Sequence, residues 1–308
     1  MLFEILQALL IVALAPLVTG VIRKLKALMQ SRKGASVFQP YYDLYKLFRK
    51  ESVVSKNASW IFTITPYVCL ASVLIAALLV PVFITRSLGF AGDLIVFVYL
   101  FAMARFFMAL SALDAGSAFG GMGSSREMTI SSLAEPTMLL SIFALALLAG
   151  TTSLDGIASH IVVAGFGIVG PSLLLAAAAF FVMMLAENAR IPVDNPATHL
   201  ELTMIHEAMI LEYSGKGLAL MELASMAKLT LFFAVLASVF MPWGIATDAS
   251  LGAIALGLVI FLAKALVLAG AIALIESSMA KMRLFKVPGL LTVSFTVALL
   301  AIMSYYIL

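Results

Sequence analysis

The sequence predicts an all-α membrane protein with about eight transmembrane helices and with both termini outside. Composition is the first observation behind this prediction: of 308 residues, 63% are hydrophobic and only 11% are charged, whereas a soluble domain carries roughly 25% charged residues. The mean hydropathy is +1.13. The other two observations are a series of long apolar stretches and an uneven distribution of Lys and Arg between the connections.

Eight stretches are long enough to cross a bilayer, which requires ~20 apolar residues in a helix. Because backbone groups in lipid must be satisfied within the segment, each stretch is expected to be helical. The predicted spans are 2 to 22, 61 to 85, 92 to 111, 129 to 150, 169 to 188, 216 to 243, 251 to 276 and 287 to 307. The segment 153 to 170 contains Asp155, His160 and several glycines, and it is interpreted as an outer loop with a short interfacial turn. The chain is treated as a single membrane domain, 1 to 308.

The charges beside the first span predict its orientation. Arg23, Lys24 and Lys26 follow the apolar run and Glu4 precedes it, whereas a secretory signal carries its basic residues before the apolar core. We therefore expect a retained helix with an outer N-terminus, and eight spans then place the C-terminus outside too.

Lys and Arg in the connections predict the same orientation. The cytoplasmic loop 23 to 60 holds nine of them, and Arg86 is the single base in the predicted outer connections. The other inner connections hold Arg126, Arg190, Lys216, Lys281, Arg283 and Lys286. Membrane orientation accounts for these bases and the net charge is only +3, so nucleic-acid binding is not indicated. The single cysteine, Cys69, cannot form an internal disulfide and indicates no redox compartment.

Loop 23 to 60 contains a predicted amphipathic helix. Aromatic residues and leucines recur at helical spacing between Phe38 and Phe48, while Asp43, Lys46 and Arg49 take other positions. This pattern is typical of a basic helix on the membrane surface. Two interpretations remain open: the helix anchors the chain to anionic headgroups, or it forms a rim on which a soluble partner docks.

The second inner connection, 111 to 127, has four Gly and four Ser. It predicts close backbone approach to a neighbour and a helix beginning near Ser124 or Ser125, with Glu127 in its first turn. The Gly-Lys-Ser/Thr ending of a phosphate-binding loop is missing, so a nucleotide site is not favoured. Glu135, followed by Pro136, lies about two turns into the next span. A carboxylate at that depth costs at least ~2.5 kcal/mol unless it is paired or hydrated, which indicates a function.

The third inner connection, the cytoplasmic loop 189 to 215, is rich in titratable residues. Pro192 and Pro196 are expected to end the preceding helix, and Asp194 or Asn195 can cap a new helix that begins near Pro196. His199 and His206 would share one face of that helix, and Glu201 and Glu212 roughly another.

The titratable residues on these two helix faces suggest a proton relay through water. His changes charge near neutral pH, and burial can raise the pKa of Glu toward neutrality. The alternative is a polar loop with solvated charges. It fits poorly, since apolar residues from Leu202 to Leu211 are interleaved with the carboxylates. The two histidines lack the i, i+4 spacing of a helical zinc pair, so no metal site is predicted.

Four further charged residues, Glu222, Lys228, Lys264 and Glu276, lie in or near predicted spans. We expect Lys228 and Lys264 to face the bundle interior or a water chain, each with a carboxylate partner, because an unpaired ammonium is costly there.

Several short motifs resemble a known family. Glu135-Pro136, Glu187 to Asp194 with Arg190 and Pro192 between them, Glu201-Leu202 and Glu212 to Gly215 resemble the H subunit (subunit 1) of respiratory complex I over essentially the whole chain. The short first loop, Leu113-Asp-Ala-Gly-Ser-Ala-Phe, Gly123-Ser-Ser-Arg-Glu-Met-Thr and Glu276-Ser-Ser-Met-Ala-Lys-Met-Arg-Leu are similar to the hydrogenase branch. That branch comprises the membrane anchors of group 4 membrane-bound hydrogenases of the formate hydrogenlyase and hydrogenase-4 type.

The resemblance implies a non-catalytic coupling subunit of a bacterial or archaeal cytoplasmic (inner) membrane complex. The chain would hold no cofactor and no metal. Its partners would be hydrogenase large and small subunits with a nickel-iron site, an iron-sulfur subunit, antiporter-like membrane subunits and lipids. The alternative is a complex I subunit that lines a quinone chamber. An independent secondary transporter is less favoured, since no internal repeat is evident.

Two sets of candidate residues follow from the motifs, the resemblance and the charges. The proton or ion coupling set is Glu135, Glu187, Asp194, His199, Glu201, His206, Glu207, Glu212, Glu222, Lys228 and Lys264. The arm-docking set is Arg23, Lys24, Arg32, Lys33, Lys46, Arg49, Lys50, Asp114, Arg126, Arg190 and Arg283.

Overall fold

The computed structural model describes residues 2–55, 58–85, 93–195, 204–248 and 250–307. Within these ranges the chain forms α-helices joined by short turns, and no strand. The helices are α1 Leu2–Met29, α2 Gln39–Arg49, α3 Trp60–Leu79, α4 Asp93–Asp114, α5 Ala118–Ala149, α6 Leu154–Ala164, α7 Pro171–Glu187, α8 His206–Ile210, α9 Gly215–Val235, α10 Leu251–Ser278 and α11 Val287–Ile307. A π-helical turn, Leu236–Phe240, continues α9.

The predicted all-α membrane fold is confirmed. Among the described residues, seven helices are long and apolar enough to cross a membrane: α1, α3, α4, α5, α9, α10 and α11. The one remaining predicted span, 169 to 188, corresponds to α7. Its 17 residues lie at the lower limit for crossing and pack against α5 and α11. The orientation of the termini stays a prediction. We call the end of the bundle that carries loops 23 to 60 and 189 to 215 the inner end.

Helix α9 lies at the centre of the bundle. Of the residues in its apolar segment 83% are buried, against 28% for α10 and α11. Phe232 on α9 meets rings from two neighbouring helices, Phe101 at 5.1 Å and Phe180 at 5.7 Å between ring centroids. Because α9 is surrounded by protein, polar groups on it must find partners inside the bundle.

Helix α5 begins earlier than the sequence predicted. Its first residue is Ala118, and the Ser117 side chain caps it by accepting a hydrogen bond from the backbone N–H of Gly120 at 3.1 Å. The predicted beginning near Ser124 was wrong because Ser117 already satisfies the free N–H groups of the first turn, and Glu127 consequently lies beyond that turn. The predicted close approach is confirmed: a Cβ at Gly120 would lie 2.3 Å from the carbonyl oxygen of Ala112.

The segment 153 to 170 is a helix where a loop with a short turn was expected. Helix α6 spans 11 residues, and its Ile157 and Ile161 are fully buried. Two side chains start it: Ser153 Oγ accepts from Gly156, and the buried Asp93 carboxylate accepts from the N–H of Leu154 at 2.9 and 3.1 Å. The Asp93 cap comes from another helix, so local sequence could not predict it.

The predicted amphipathic helix is confirmed as α2. It packs through the buried Leu44, and the Tyr41 hydroxyl donates a hydrogen bond to the carbonyl of Ala13 on α1 at 2.5 Å. Its remaining aromatic residues, together with Phe38 just before it, point away from the bundle: Phe38, Tyr42, Tyr45 and Phe48 are exposed. The helix therefore lies against α1 and α9 and presents an aromatic and basic surface.

Candidate ion-coupling site

Arg105 on α4 is the centre of a buried group of charges. Its side chain is 3% exposed, and it joins two carboxylates from different helices. Nη1 lies 2.9 Å from Oε2 of Glu187 at the end of α7, and Nη2 lies 2.9 Å from Oε1 of Glu135 on α5. The sequence analysis missed Arg105, although a single base within the apolar run 92 to 111 was a signal, since buried charges in a membrane require partners.

Lys228 on α9 completes the group. Its Nζ donates to the backbone carbonyl of Glu187 at 2.6 Å and lies 3.3 Å from Oε1 of the same residue. The predicted carboxylate partner of Lys228 is thus confirmed. We call Arg105, Glu135, Glu187 and Lys228 the buried ion network. It holds two acids and two bases, so any proton that enters or leaves gives it a net charge.

Glu127 is a further buried carboxylate on α5, 7% exposed. It makes no hydrogen bond or ion pair within the ranges that the structure covers. Its neighbours on α5, Gly123 and Ile130, face α8 and the inner turn: a Cβ at Gly123 would lie 2.9 Å from the Cβ of Ala208, and Ile130 packs with Ile205. Glu127 is absent from the predicted coupling set, and its burial depends on α8 and the inner turn, which are distant in sequence.

A second set of ion pairs joins the inner ends of three segments. Glu276 on α10 pairs with Lys26 on α1 at 3.1 Å and with Arg190, just after α7, at 3.3 Å. The Arg190 side chain is 12% exposed, so this member of the arm-docking set is engaged inside the protein.

Asp194 organises the described part of loop 189 to 215. Lys281 lies 2.5 Å from its Oδ1, and its Oδ2 accepts from the backbone N–H groups of Ile205 at 3.2 Å and His206 at 3.4 Å. Asp194 therefore binds the N–H groups at the beginning of α8, which begins at His206. The predicted beginning of a helix near Pro196 lies outside the described residues. One continuous helix from there through Glu212 was wrong, since Ile205 has the non-helical dihedral angles φ −119° and ψ −81°.

The remaining members of the coupling set fall in different places. His199 and Glu201 lie outside the described residues. Glu212 is exposed in the turn before α9. Lys264 donates to the carbonyls of Ala237 at 2.9 Å and Trp243 at 2.8 Å, and also to Met241. Its predicted carboxylate partner was wrong, because the π-helical turn that continues α9 leaves carbonyls free to accept instead.

The arm-docking set divides by exposure. Four members have internal partners, including Arg126, which donates to the carbonyl of Met204 at 2.7 Å, and Asp114, which accepts from the N–H of Ser59 at 2.7 Å. Lys24 donates to the carbonyl of Lys33, and Arg190 pairs with Glu276. The exposed members are Arg23, Arg32, Lys33, Lys46, Arg49, Lys50 and Arg283.

A polar chamber of about 660 Å³ lies at the inner end, between α1, α8, α9 and α10. Residues of both signs line it, among them Arg23, His206, Glu207, Glu222 and Glu276. Burial raises the pKa of Glu207 to about 7, and the nearby Glu222 charge acts in the same direction. Glu207 can therefore exchange a proton at neutral pH.

No group of three His, Cys, Asp or Glu side chains within the described ranges could hold a metal ion. Most charged groups of the site are instead matched acid to base or face the chamber; the exceptions are the buried Glu127 and Lys264, which donates to carbonyls. Such an arrangement can store and pass charge, and it offers no nucleophile with an adjacent base.

The chain is thus an all-α membrane protein that has a charge-balanced network inside its bundle and a polar chamber at one end. Its sequence matches a known protein family. The chain belongs to the family described as NADH dehydrogenase, which matches residues 3–306. The predicted resemblance to the complex I family is thereby confirmed.

Individual relatives show which branch of the family this chain resembles in sequence. The chain is 35% identical over 300 residues to hydrogenase-4 component C of Escherichia coli (strain K12), covering 97% of this chain and 94% of that protein. It is 36% identical over 304 residues to formate hydrogenlyase subunit 4 of the same strain, covering 98% of both. Identity to the H subunit of NADH-quinone oxidoreductase from Anaplasma phagocytophilum (strain HZ) is 29% over 242 residues, covering 71% and 69%. The predicted hydrogenase branch is confirmed.

A solved structure shares the fold. A chain of the membrane-bound sulfane sulfur reductase, an archaeal respiratory membrane complex, matches with a TM-score of 0.82 over 98% of this chain and 99% of that chain. The sequence identity is 21%, so this likeness establishes the arrangement of helices.

Proposed function

We propose that this chain is the membrane anchor and coupling subunit of an energy-converting hydrogenase complex of the formate hydrogenlyase type. It docks a peripheral arm that carries iron-sulfur clusters and a nickel-iron site, and it links electron transfer to translocation of protons or sodium ions. The near full-length similarity to two hydrogenase membrane subunits supports the assignment. The observation that carries the coupling role is Glu187, held between Arg105 and Lys228 inside the bundle.

Electrostatics provides the link between the arm and the membrane. Two unit charges about 10 Å apart interact by about 1.7 kcal/mol at an effective dielectric constant of about 20, which shifts a pKa by roughly one unit. A negative charge that arrives at the inner end therefore favours proton uptake at Glu207, whose pKa is already about 7. The proton then upsets the charge balance of the buried ion network deeper in the bundle.

The exposed bases give the inner end its docking surface. Lys46, Arg49 and Lys50 project from α2 or its end, next to the exposed aromatic side chains, and Arg49 lies 4.3 Å above the ring of Tyr45. Aromatic residues and Arg are enriched at protein interfaces. We assign this surface to the arm, with antiporter-like membrane subunits beside the bundle, in a bacterial or archaeal cytoplasmic membrane.

A quinone-chamber subunit of a respiratory NADH dehydrogenase is the second candidate. The chamber of about 660 Å³ favours it, as does the similarity to the H subunit of NADH-quinone oxidoreductase. The two functions differ in the metals and the reaction of the purified complex.

The test is purification of the whole complex through a tag on this chain. We expect nickel and iron in the preparation, and hydrogen production with a soluble electron donor. A complex that reduces quinone with NADH and contains no nickel would establish the second candidate instead.

The coupling role is tested in the same complex with Glu207→Gln, and Asp248→Asn serves as a control because Asp248 is an exposed carboxylate between α9 and α10. We expect hydrogen turnover to persist in both variants and ion translocation to fall only in the Glu207 variant, by roughly tenfold or more. Unchanged translocation in the Glu207 variant would contradict the role of the chamber.

A further inference from the structure

Two cavities meet at His206. The first is the polar chamber at the inner end, and the second, of about 40 Å³, is lined by Arg105 and Lys228 of the buried ion network and by apolar residues such as Phe101. His206 and Ser225 line both cavities. Of these two, His206 alone has a side chain that can both accept and release a proton. A titratable group thus lies between the solvent-facing chamber and the network.

The wall of the smaller cavity is mainly apolar, and it leaves room for water beside a few polar groups. Its volume exceeds the ~10–15 Å³ that a single water requires, and Ser225 and Lys228 contribute polar groups. The buried Nε of Arg105 has no hydrogen-bond partner within the described ranges. Because buried N–H groups nearly always find an acceptor, a water in the cavity would satisfy this donor and would extend the polar path from His206 to the network.

The backbone of His206 is held in place by an ion pair. Its N–H donates to Asp194 at 3.4 Å, and the N–H of Ile205 donates to the same oxygen at 3.2 Å. Lys281, from the connection between α10 and α11, binds Asp194 at 2.5 Å. The imidazole is consequently positioned by contacts between two inner segments, and the contacts leave the ring free to line both cavities.

The charges around His206 come from several helices: Lys228 and Glu222 on α9, Arg105 on α4, Glu187 on α7, and Asp194 and Glu207 beside it. Burial lowers the pKa of His206 to about 4, Lys228 acts in the same direction, and Asp194 and Glu187 oppose it. The ring is therefore neutral at pH 7. A neutral imidazole has one nitrogen that donates and one that accepts.

Building on the proposed coupling function, we propose that His206 is the proton-transfer link between the chamber and the buried ion network. A proton from a hydronium ion in the chamber binds the free ring nitrogen, and the proton on the other nitrogen leaves to the water of the small cavity and then to Glu187. One N–H bond forms and one breaks, and tautomer exchange restores the ring. Glu207 and Glu222 line the chamber and exchange protons with its water.

The experiment uses the intact membrane complex in proteoliposomes. His206→Gln keeps a hydrogen-bonding side chain but cannot pass a proton, so ions translocated per hydrogen formed are expected to fall roughly tenfold or more, with hydrogen turnover from a soluble donor unchanged. Asp248→Asn is the control, since Asp248 is an exposed carboxylate outside both cavities, and it should leave translocation unchanged.

Chemical rescue separates proton transfer from a structural role. In His206→Ala, added imidazole can enter through the chamber, and we expect it to restore translocation in a concentration-dependent way. An assembled His206→Ala complex that still translocates, or that imidazole does not restore, would overturn the proposal.

The Glu207→Gln variant distinguishes a failure of the His206 link from a failure of the coupling function. If it uncouples translocation while His206→Gln does not, the link is wrong and the coupling function stands. If neither variant uncouples, the coupling function fails as well.

Discussion

Glu187→Gln removes the charge that holds the buried ion network together. The carboxylate lies 2.9 Å from Arg105 and 3.3 Å from Lys228, and its side chain is 2% exposed. The substitution leaves two bases with Glu135 as the single acid of the network. Because breaking one partner out of a buried ion pair typically costs about 3–5 kcal/mol, we expect the free energy of unfolding to fall by that order.

The assay is thermal unfolding of the detergent-solubilised complex, in which 1 kcal/mol corresponds to roughly 2–4 °C for a large domain. The apparent Tm of Glu187→Gln should therefore fall by on the order of 10 °C, whereas the exposed control Asp248→Asn should change little.

A double variant tests the cause of that loss. Adding Lys228→Met to Glu187→Gln removes the unpaired base and leaves Arg105 with Glu135, which is again charge-balanced. We expect the double variant to be more stable than Glu187→Gln alone by about 1–3 kcal/mol, the usual range of coupling between contacting residues. A Glu187→Gln variant as stable as the wild type, or a double variant in which the two losses simply add, would refute the reasoning.

Three further predictions follow from other parts of the molecule. Folding raises the pKa of Glu207 from 4.5 to about 7, so the stability that protonation gives is present at low pH and is lost as the pH rises through about 7. Between pH 5 and 8, the free energy of unfolding of the wild type, measured relative to Glu207→Gln, should decline by on the order of 2–3 kcal/mol. Gly120→Ala should destabilise α5, since its Cβ would lie 2.3 Å from a backbone carbonyl, whereas Gly121→Ala meets nothing within 4 Å and should be neutral or stabilising by up to ~1 kcal/mol; a thermal shift assay of both variants decides. Reversing the charges of Lys46 and Lys50 to Glu should reduce copurification of the peripheral arm and make the remaining binding less sensitive to salt, and equal recovery of the arm would exclude this surface from docking.

The sequence predicted what depends on local pattern. The long apolar stretches predicted the spans because the length of a membrane helix is set by the bilayer, and the aromatic spacing of α2 was sufficient to predict an amphipathic helix. The deviations depend on distant partners. Asp93 starts α6 from another helix, and Asp194 accepts from the first residue of α8, His206, which follows it by 12 residues.

The acids of the candidate site could be predicted from the sequence more readily than the groups with which the charged residues pair. Glu135 was recognised because a carboxylate in an apolar run is costly, and Glu187 because it belongs to the motif that resembles the family. Arg105 was missed, although the same cost applies to a base in an apolar run. A carboxylate partner was predicted for both intramembrane lysines, correctly for Lys228 and wrongly for Lys264. Only the fold decides whether a carboxylate or a free carbonyl lies within reach of each ammonium group. The chamber is formed where α1 meets α8, α9 and α10, which come much later in the chain, so no local pattern could predict it.

The most direct test of the coupling role is ion translocation per hydrogen formed, measured in proteoliposomes with the charge-balanced Glu187→Gln and Lys228→Met double variant. The network should then be intact in charge but unable to take up a proton at Glu187. We predict hydrogen turnover close to that of the wild type and a ratio of ions to hydrogen reduced roughly tenfold or more. A ratio equal to that of the wild type would contradict the proposal that the buried ion network couples electron transfer to ion movement.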